Sequence, residues 1–285
     1  MNTSQAAQLL DQGDSVQLSE MQQIMTRTMK AIHDVCVKHN LRYFLSWGSL
    51  LGAVRHNGFI PWDDDMDINM PREDYYRFLE IAQEELGDQY FLQTPETDPH
   101  WTTVNIPAKV RDNFSTLVEE PGSKYHQGAY VDIFPIDDVV DPIQFEKIRK
   151  RCGLLSSLRM RISFHELSGI KRYLRIAMQL AIRLVPARTL YRYLNRQAKK
   201  LLALGESDTL QEGIEILDRA TYRREDLFPL QLHAFGEYEF YIPNNAHQVL
   251  TNYFGDYMQL PPEEKRVPHG VFYSSKRLYD LPPKR

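Results

Sequence analysis

The sequence predicts an α/β (α+β) fold, in which a mixed sheet is flanked by helices and joined to a basic helical segment. Three observations support this prediction. Apolar residues recur at helical spacing near the N-terminus, short strand-like runs separated by Pro, Gly and Asp follow, and a later basic stretch is helical without a strand signal. With 42% hydrophobic residues in a chain of 285, the protein can bury a sizeable core.

The first part of the chain alternates helices with short strands. The apolar positions of Leu18–His39 predict a helix that stops at Asn40. The elements predicted next are a strand at 42–47, a tight turn at 48–49, a short helix at 50–56, a strand at 65–70 closed by Pro71, and an amphipathic helix at 73–86. Helix and strand therefore alternate up to the first acidic motif and beyond it.

The rest of the chain divides into three further regions. Short strands are predicted at 90–93, 104–110, 114–118 and 129–134, helices over 142–203 with breaks near Gly169 and at Pro186, and a strand at 234–241 followed by a helix at 244–253. We therefore predict a catalytic core over 18–141, a basic helical insertion over 142–215, and a C-terminal part over 216–285 that completes the core.

Charge is distributed unevenly along the chain. The net charge is −4, but residues 142–203 contain 15 Lys or Arg and only two acids, which gives this segment about +13 and leaves about −17 elsewhere. The apolar run at 176–185 is too short to span a bilayer, since Arg175 and Arg183 interrupt it. No nucleic-acid-binding motif accompanies the basic segment, so a nucleic acid partner is not expected.

Cysteine usage and the N-terminus indicate where the chain resides. Cys36 and Cys152 lack the spacing of a zinc site or a disulfide framework, which predicts free thiols in a reducing compartment. The first residues lack a basic start followed by an apolar run, so no signal peptide is expected. These features predict a cytoplasmic protein.

The acidic run WDDDMDI at 62–68 is the first motif that suggests chemistry. On a strand, Asp65 and Asp67 would point to the same face, and Asp63 continues the alternation. Adjacent carboxylates repel unless a cation lies between them, and oxygen ligands suit Mg²⁺ or Mn²⁺. The alternative is an acidic loop in solvent, because a short Asp-x-Asp motif alone is not specific.

Two further sequence features accompany this motif. Gly48-Ser49 follows a predicted strand and opens a helix, a place where backbone amides can approach a phosphate. Asp132 lies among apolar residues on a predicted strand and is the candidate for a third metal carboxylate, although a structural acid is the alternative. Together they favour a site for a metal and a phosphate.

Three segments resemble the LicD family, which includes bacterial phosphocholine transferases and, more distantly, the fukutin-related proteins. They are YFLSWGSLLGAVRHNGFIPWDDDMDIN at 43–69, YVDIFPID at 130–137 and YFGDYMQLPPEEKRVPHG at 253–270. The resemblance implies a nucleotidyltransferase-like core. It further implies that Gly48 and Ser49 hold the donor phosphates and that Asp65, Asp67 and Asp132 bind metal, with Asp63 as an additional candidate ligand.

The resemblance also implies a reaction. Family members are similar in using a CDP-activated alcohol, so we expect transfer of a phospho-alcohol, with phosphocholine from CDP-choline favoured, to a glycan hydroxyl with release of CMP. The expected acceptor is a lipid-linked, cell-surface glycan precursor of teichoic acid, lipopolysaccharide or capsule. Two alternatives stay open: a true nucleotidyltransferase that attacks the α-phosphate and releases pyrophosphate, and a catalytically silent binding or scaffold relative.

Several other residues are candidates for binding the donor. Arg55 lies inside the first signature, and Lys109 ends a strand-like run that could face the site. Lys265 and Arg266 belong to the closing block, and Trp62 is a candidate for cation–π contact with a choline group. The alternative is that these residues have no role in binding, because most Lys and Arg side chains lie on the surface and most aromatic side chains lie in the core.

The basic helical segment has two interpretations. Apolar and Arg positions interleave over residues 171–194, a composition typical of an amphipathic helix on an anionic membrane surface. The alternative is a basic, solvated face of an ordinary helical subdomain. A peripheral contact through 142–203 with the inner face of the membrane would bring the enzyme to a lipid-linked acceptor.

Overall fold

The computed structural model describes residues 17–160 and 169–279, with the backbone alone for 169–172. The N-terminal stretch from which we predict no signal peptide lies outside these residues. The helices are α1 (Leu18–His39), α2 (Trp47–His56), α3 (Arg72–Leu86), α4 (Pro142–Arg159), α5 (Gly169–Leu184), α6 (Ala187–Leu202), α7 (Arg224–Leu227) and α8 (Ala246–Phe254). The strands are β1 (Phe44–Leu45), β2 (Asp67–Pro71), β3 (Tyr90–Gln93), β4 (Ala108–Asp112), β5 (Thr116–Val118), β6 (Tyr130–Asp138), β7 (Thr209–Glu212), β8 (Thr221–Arg223), β9 (Gln231–Phe235), β10 (Tyr238–Ile242) and β11 (Phe272–Ser274).

Seven strands form one mixed sheet, so the predicted fold class is confirmed. The order is β1-β2-β6-β4-β3, and β7 pairs with both β6 and β8. Strands β2 and β6 run parallel, whereas the other pairs of this sheet are antiparallel. The long strand β6 carries two partners on one edge, β4 beside residues 130–133 and β7 beside residues 136–138. Strand β6 is thus the element through which the sheet is held together.

Helix α1 packs its apolar face on this sheet. Met29 and Ile32 of α1 are fully buried in one cluster with Ile68 of β2 and Ile133 of β6. Burial of side chains of this size contributes about 1.5–3 kcal/mol each. The helix ends at Asn40, which has a φ of 55° and donates its amide hydrogen to carbonyls of the last turn. The predicted helix and its stop are both confirmed.

The described residues of the basic segment form three helices, two of which, α4 and α6, share a small core with the adjacent sheet. At the start of α4, the Asp141 side chain accepts the amide hydrogens of Ile143 and Gln144. The buried residues shared by α4, α6 and the adjacent sheet include Val139, Phe145, Cys152, Leu190, Leu194 and Ile214. The region predicted as an insertion, 142–215, also contains β7, whose alternate residues are buried and which joins the main sheet. The insertion is therefore helical only as far as α6.

Neither a disulfide nor a helical membrane span is found in the part of the chain that the structure describes. Cys36 and Cys152 are buried and unpaired, as expected of free thiols. None of the helices in 17–160 and 169–279 combines the length and the apolar character needed to cross a bilayer. The apolar run at 176–185 lies inside α5 except for Val185, which follows the end of that helix at Leu184.

The C-terminal part returns to the core twice. The single strand predicted at 234–241 is wrong, because Gly236, with a φ of 62°, turns the chain into the hairpin of β9 and β10. Strand β11 then pairs antiparallel with β5, with Tyr273 opposite Leu117. This second return brings the closing block of the sequence back over the acidic motif.

Candidate active site

Two carboxylates lie side by side on the central parallel pair of strands. Asp67 opens β2 and is in register with Asp132 of β6. Asp65 precedes the strand and is half-buried, while Asp67 and Asp132 are only 9% and 5% exposed. Because paired residues of neighbouring strands point to the same face, these acids converge on one side of the sheet. The structure thus brings the three predicted metal carboxylates together.

Burial and mutual repulsion make these carboxylates hard to ionise. Burial raises the pKa of Asp67 well above its usual range, and Asp65 and Asp132 raise it further. The pKa of Asp132 is about 7, mainly because of burial, with Lys109 acting in the opposite direction. For Asp63 the pKa is about 8, because burial and the neighbouring Asp65 both disfavour its charge. With all of its acids ionised, the cluster would hold more negative charge than its own cationic side chains neutralise.

Lys109 is the cation that the structure places in this cluster. It lies on β4 opposite Asp132, with its Nζ 2.9 Å from Oδ1 and 3.1 Å from Oδ2 of that carboxylate. The Nζ atom also lies 3.4 Å from the centroid of the Tyr130 ring, and the side chain is only 1% exposed. Lys109 was predicted to bind donor phosphates, and the structure places it instead against a carboxylate that it holds in position.

The donor set fits a hard divalent cation. Ligand atoms of Asp63, Asp65 and His269 all lie within 4.8 Å of one another. The Oδ1 atom of Asp132 is buried and receives no hydrogen bond of good geometry, even though Lys109 is near it. A buried carboxylate oxygen approached only by Lys109, beside several half-buried carboxylates, is what an oxygen-coordinated Mg²⁺ or Mn²⁺ would satisfy.

Gly48 and Ser49 lie in the first turn of α2 and contact this loop directly. A Cβ atom on Gly48 would lie 2.8 Å from Oδ2 of Asp63, so a side chain here would displace a carboxylate. The Ser49 hydroxyl accepts the amide hydrogen of Asp67 at 2.8 Å. The residue before them, Trp47, has a φ of 41°, which is strained for an aromatic residue. The start of α2 is therefore fitted to the acidic loop.

Asp64 ties the acidic loop to the closing block, and sequence reasoning missed it. Its carboxylate is 1% exposed and accepts hydrogen bonds from the amides of His269 and Gly270 and from the Tyr273 hydroxyl. The Nδ1 atom of His269 lies 3.8 Å from Oδ2 of Asp65. Asp64 lies in the WDDDMD run and its partners lie in and just after the PHG segment. No local sequence pattern connects these two segments.

The remaining predicted donor-binding residues lie around this loop. Arg55 donates to the carbonyl of Tyr257 at 2.6 Å, which ties α2 to the chain after α8. The Arg266 guanidinium carbon lies 5.3 Å from the centroid of the Trp62 ring, so these two candidates meet in space. Lys265 is exposed in a single 3₁₀ turn. The closing block thus covers one side of the acidic loop with Arg266 and His269.

Comparison with known proteins agrees with this geometry. A family model described as LicD/FKTN/FKRP, nucleotidyltransferase domain, matches residues 40–151, which contain the acidic loop and most of β6 and its partners. The lipopolysaccharide cholinephosphotransferase LicD of Haemophilus influenzae is 30% identical over 267 residues, covering 89% of this chain and 96% of that protein. The chain belongs to the LicD family.

Other relatives match only about a fifth of this LicD-family chain. The human ribitol 5-phosphate transferase FKRP is 36% identical over 63 residues, 22% of this chain and 13% of that protein. An uncharacterized protein of Rickettsia typhi is 49% identical over 53 residues, 19% of this chain and 17% of that protein. The relatives with named activities are thus both transferases of a phosphate-linked alcohol, and the alcohols differ.

Proposed function

We propose that this LicD-family protein transfers a phospho-alcohol, with phosphocholine favoured, from a CDP-activated donor to a hydroxyl of a cell-surface glycan precursor. The acceptor oxygen forms a bond to the phosphorus that bears the alcohol, the bond from this phosphorus to the CMP oxygen breaks, and CMP leaves. The observation that supports the proposal is the register pairing of Asp67 with Asp132 beside Asp65, a set of acids that their own surroundings leave under-neutralised. The near full-length relative supports phosphocholine as the group.

The protein groups have separable roles in this reaction. Asp63, Asp65, Asp67 and Asp132 would hold Mg²⁺, which supplies neutralisation of the pyrophosphate charge when bound. The first turn of α2 presents backbone amides beside the loop, with Ser49 fixing the start of β2. Lys109 holds Asp132 by charge, and Asp132 is the carboxylate that accepts the proton of the attacking hydroxyl.

Binding and product analysis test this proposal together. Isothermal titration with CDP-choline, with and without Mg²⁺, should show metal-dependent binding by the wild type that Asp65→Ala abolishes. Asp34→Asn is the matched control, because Asp34 is an exposed acid on α1 paired with Lys30. Release of CMP during transfer agrees with the proposal, whereas release of pyrophosphate identifies a true nucleotidyltransferase. Absence of metal-dependent binding of CDP-choline, CDP-ribitol and other CDP-alcohols would point to a silent relative.

We also propose that α5 brings the enzyme to an anionic membrane surface that carries the acceptor. Its exposed apolar side chains have exposed fractions from 37% to 86% and include two pairs four residues apart, Leu174 with Met178 and Leu180 with Leu184, preceded by Tyr173. Arg175 and Arg183 lie between them, in a segment of about +13. An anionic lipid surface would cover the apolar face and neutralise this charge together.

Vesicle sedimentation tests the membrane contact independently of catalysis. The wild type should sediment with phosphatidylcholine vesicles only when they contain phosphatidylglycerol, and the double variant Leu174→Ser, Leu184→Ser should stay in the supernatant. Leu232→Ser is the matched control, since Leu232 is an exposed leucine of β9 at 52% exposure. If the wild-type protein does not sediment with anionic vesicles, the membrane contact is refuted. The basic segment is then interpreted as a solvated face of an ordinary helical subdomain.

A further inference from the structure

The face of the sheet that carries the metal acids continues into a second row of side chains. One pleat beyond Asp67 and Asp132, Asn69 of β2 is in register with Phe134 of β6. Residues two apart on a strand point the same way, so this pair lies on the same face as the acids, about 7 Å further along. A donor whose phosphorus lies at the acids would extend its alcohol toward one of the neighbouring rows.

Aromatic rings enclose this second row. The Trp47 ring packs edge-on against Phe134, with centroids 4.6 Å apart, and lies 6.2 Å from the ring of Tyr253 of α8. Trp47 and Tyr253 both remain partly exposed, whereas Phe134 is buried. The left-handed backbone of Trp47 costs free energy that a turn residue such as Gly would avoid. Strain of this kind at a partly exposed ring is typical of a binding position.

Beneath the rings lie two buried oxygens without hydrogen-bond donors. Asn69 donates its Nδ2 hydrogen to Oε1 of Glu212 at 2.7 Å, yet Oδ1 of Asn69 and Oε2 of Glu212 are both buried and unpaired. The Tyr222 hydroxyl also donates to Oε1, and it contacts the hydroxyl of Tyr253. Hydrogen bonds therefore run from the buried Glu212 to the Tyr253 ring. Asn69 Oδ1 and Glu212 Oε2 thus lie unpaired in a hydrogen-bonded group of side chains that ends at Tyr253.

We infer that Trp47 and Tyr253, above the Asn69–Glu212 pair, form the subsite for a cationic head group of the transferred alcohol. This inference rests on the proposed function and names the alcohol class that the site selects. A quaternary ammonium donates no conventional hydrogen bonds, so aromatic faces and unpaired oxygens suit it, whereas a polyol needs hydrogen-bond partners at each hydroxyl. In phosphocholine only one oxygen and two carbons separate phosphorus from nitrogen, a span comparable to one pleat.

Kinetics with three donors test the subsite. Trp47→Leu and Tyr253→Leu should each raise the KM for CDP-choline about tenfold with kcat little changed, since a desolvated cation–π contact is worth about 1–2 kcal/mol. The KM for CDP-ribitol should not change, and CDP-ethanolamine should show an intermediate loss. Trp47→Phe and Tyr253→Phe retain a ring and should recover most of the affinity for CDP-choline. Phe114→Leu, which removes an exposed aromatic ring before β5, is the matched control.

The outcomes separate the subsite from the reaction. One outcome is that the wild type transfers phosphocholine and that both leucine variants have the wild-type KM for CDP-choline and the wild-type melting temperature. This outcome refutes the subsite while the proposed function stands. If the leucine variants raise the KM for CDP-ribitol as much as that for CDP-choline, the residues are structural and the inference is also overturned. A wild type that uses CDP-ribitol in preference to CDP-choline refutes it as well. Failure with every CDP-alcohol ends both proposals.

Discussion

Two buried acid clusters on the same strand differ in how their charge is balanced. At the downstream end of β6, Asp137 and Glu215 both bind the guanidinium of Arg72 through paired contacts of 2.6–2.8 Å. All three side chains are at most 3% exposed. At the upstream end, Asp132 shares one lysine with a loop of further acids. In the first cluster, Arg72 neutralises the carboxylates and forms hydrogen bonds with all of their oxygens. In the second cluster, buried carboxylate oxygens remain that a ligand can contact.

This difference predicts which of the buried acids are structural and which are functional. Burial of Asp67 carries a free-energy cost that its surroundings do not offset, and such sites are found where a cation or substrate supplies the missing charge. The Arg72 triad needs nothing further from solution, because four hydrogen bonds match the three guanidinium nitrogens to the four carboxylate oxygens. The upstream cluster should therefore govern activity, and the downstream cluster stability.

The largest expected effect is on activity at the upstream cluster. Asp67→Asn removes one carboxylate while keeping the side-chain shape, and it should reduce the transfer rate by at least about a thousandfold, since a metal carboxylate stabilises the transition state by several kcal/mol. The melting temperature should stay the same or rise, because repulsion among the acids is relieved. Rate and melting temperature measured on one preparation decide this. A variant that loses both would place Asp67 among the structural acids.

The next largest effect is on stability at the downstream cluster. Arg72→Met leaves two buried carboxylates without their partner and should reduce the free energy of unfolding by about 3–5 kcal/mol. Urea unfolding followed by circular dichroism measures this change. The folded fraction should keep Mg²⁺-dependent donor binding, because Arg72 lies outside the upstream cluster. Loss of donor binding at full stability would show that the two clusters are not separable.

Metal removal should distinguish the clusters directly. Mg²⁺ binds the folded state, so a concentration of about 100 times its Kd should add roughly 2.7 kcal/mol of stability, seen as a rise in melting temperature that EDTA reverses. The Asp67→Asn variant should lose this shift and Asp34→Asn should retain it. Equal shifts in the wild type and Asp67→Asn would indicate that Mg²⁺ acts elsewhere on the protein.

A smaller, pH-dependent effect comes from a third buried group, His126. Burial, reinforced by the charges of Arg111 and Arg277, lowers its pKa from 6.5 to about 2. The neutral ring donates from Nε2 to Asn113 and accepts the Gly128 amide hydrogen at Nδ1, while the Tyr279 hydroxyl lies near both nitrogens. The unfolded chain takes up a proton near pH 6.5 and the folded chain does not. The contribution of the buried, neutral His126 to the free energy of unfolding is therefore complete above pH 6.5 and is lost as the pH falls below this value.

The loss below pH 6.5 should approach about 1.4 kcal/mol per pH unit from this residue. Urea unfolding of the wild type and His126→Gln at about pH 7.5 and about pH 5.5 measures it, because other titrating groups cancel in the difference between the two proteins. The variant should be the less pH-sensitive of the two. Parallel pH dependence in both proteins would mean that His126 does not titrate as described.

Local patterns were sufficient to predict much of the fold. The helices over 18–39 and near 73–86 and the strand at 90–93 follow from apolar periodicity within each segment. Strand β6 extends beyond its predicted end at 134, since Pro135 was taken as a boundary. Pro135 is tolerated because it lies where β4 has ended and β7 has not begun, so the missing amide hydrogen breaks no ladder bond on that edge.

The site could be predicted from sequence only as far as its motifs are local. Asp65, Asp67 and Asp132 were singled out by their chemistry, and the structure brings them together. The contacts of Asp64 were missed because no local pattern links residues 205 positions apart. The placement of Lys109 on Asp132 was missed as well, since it depends on the register between β4 and β6.

The link between Asp64 and the closing block has a consequence for how the enzyme is synthesised. A ribosome releases the acidic loop long before it releases His269 and Gly270, so the nascent chain carries an acid whose donors do not yet exist. The acidic loop can reach the arrangement described here only after residues 269 and 270 have been synthesised. A stop codon shortly before His269 would leave Asp64 buried without the two backbone donors that hold it.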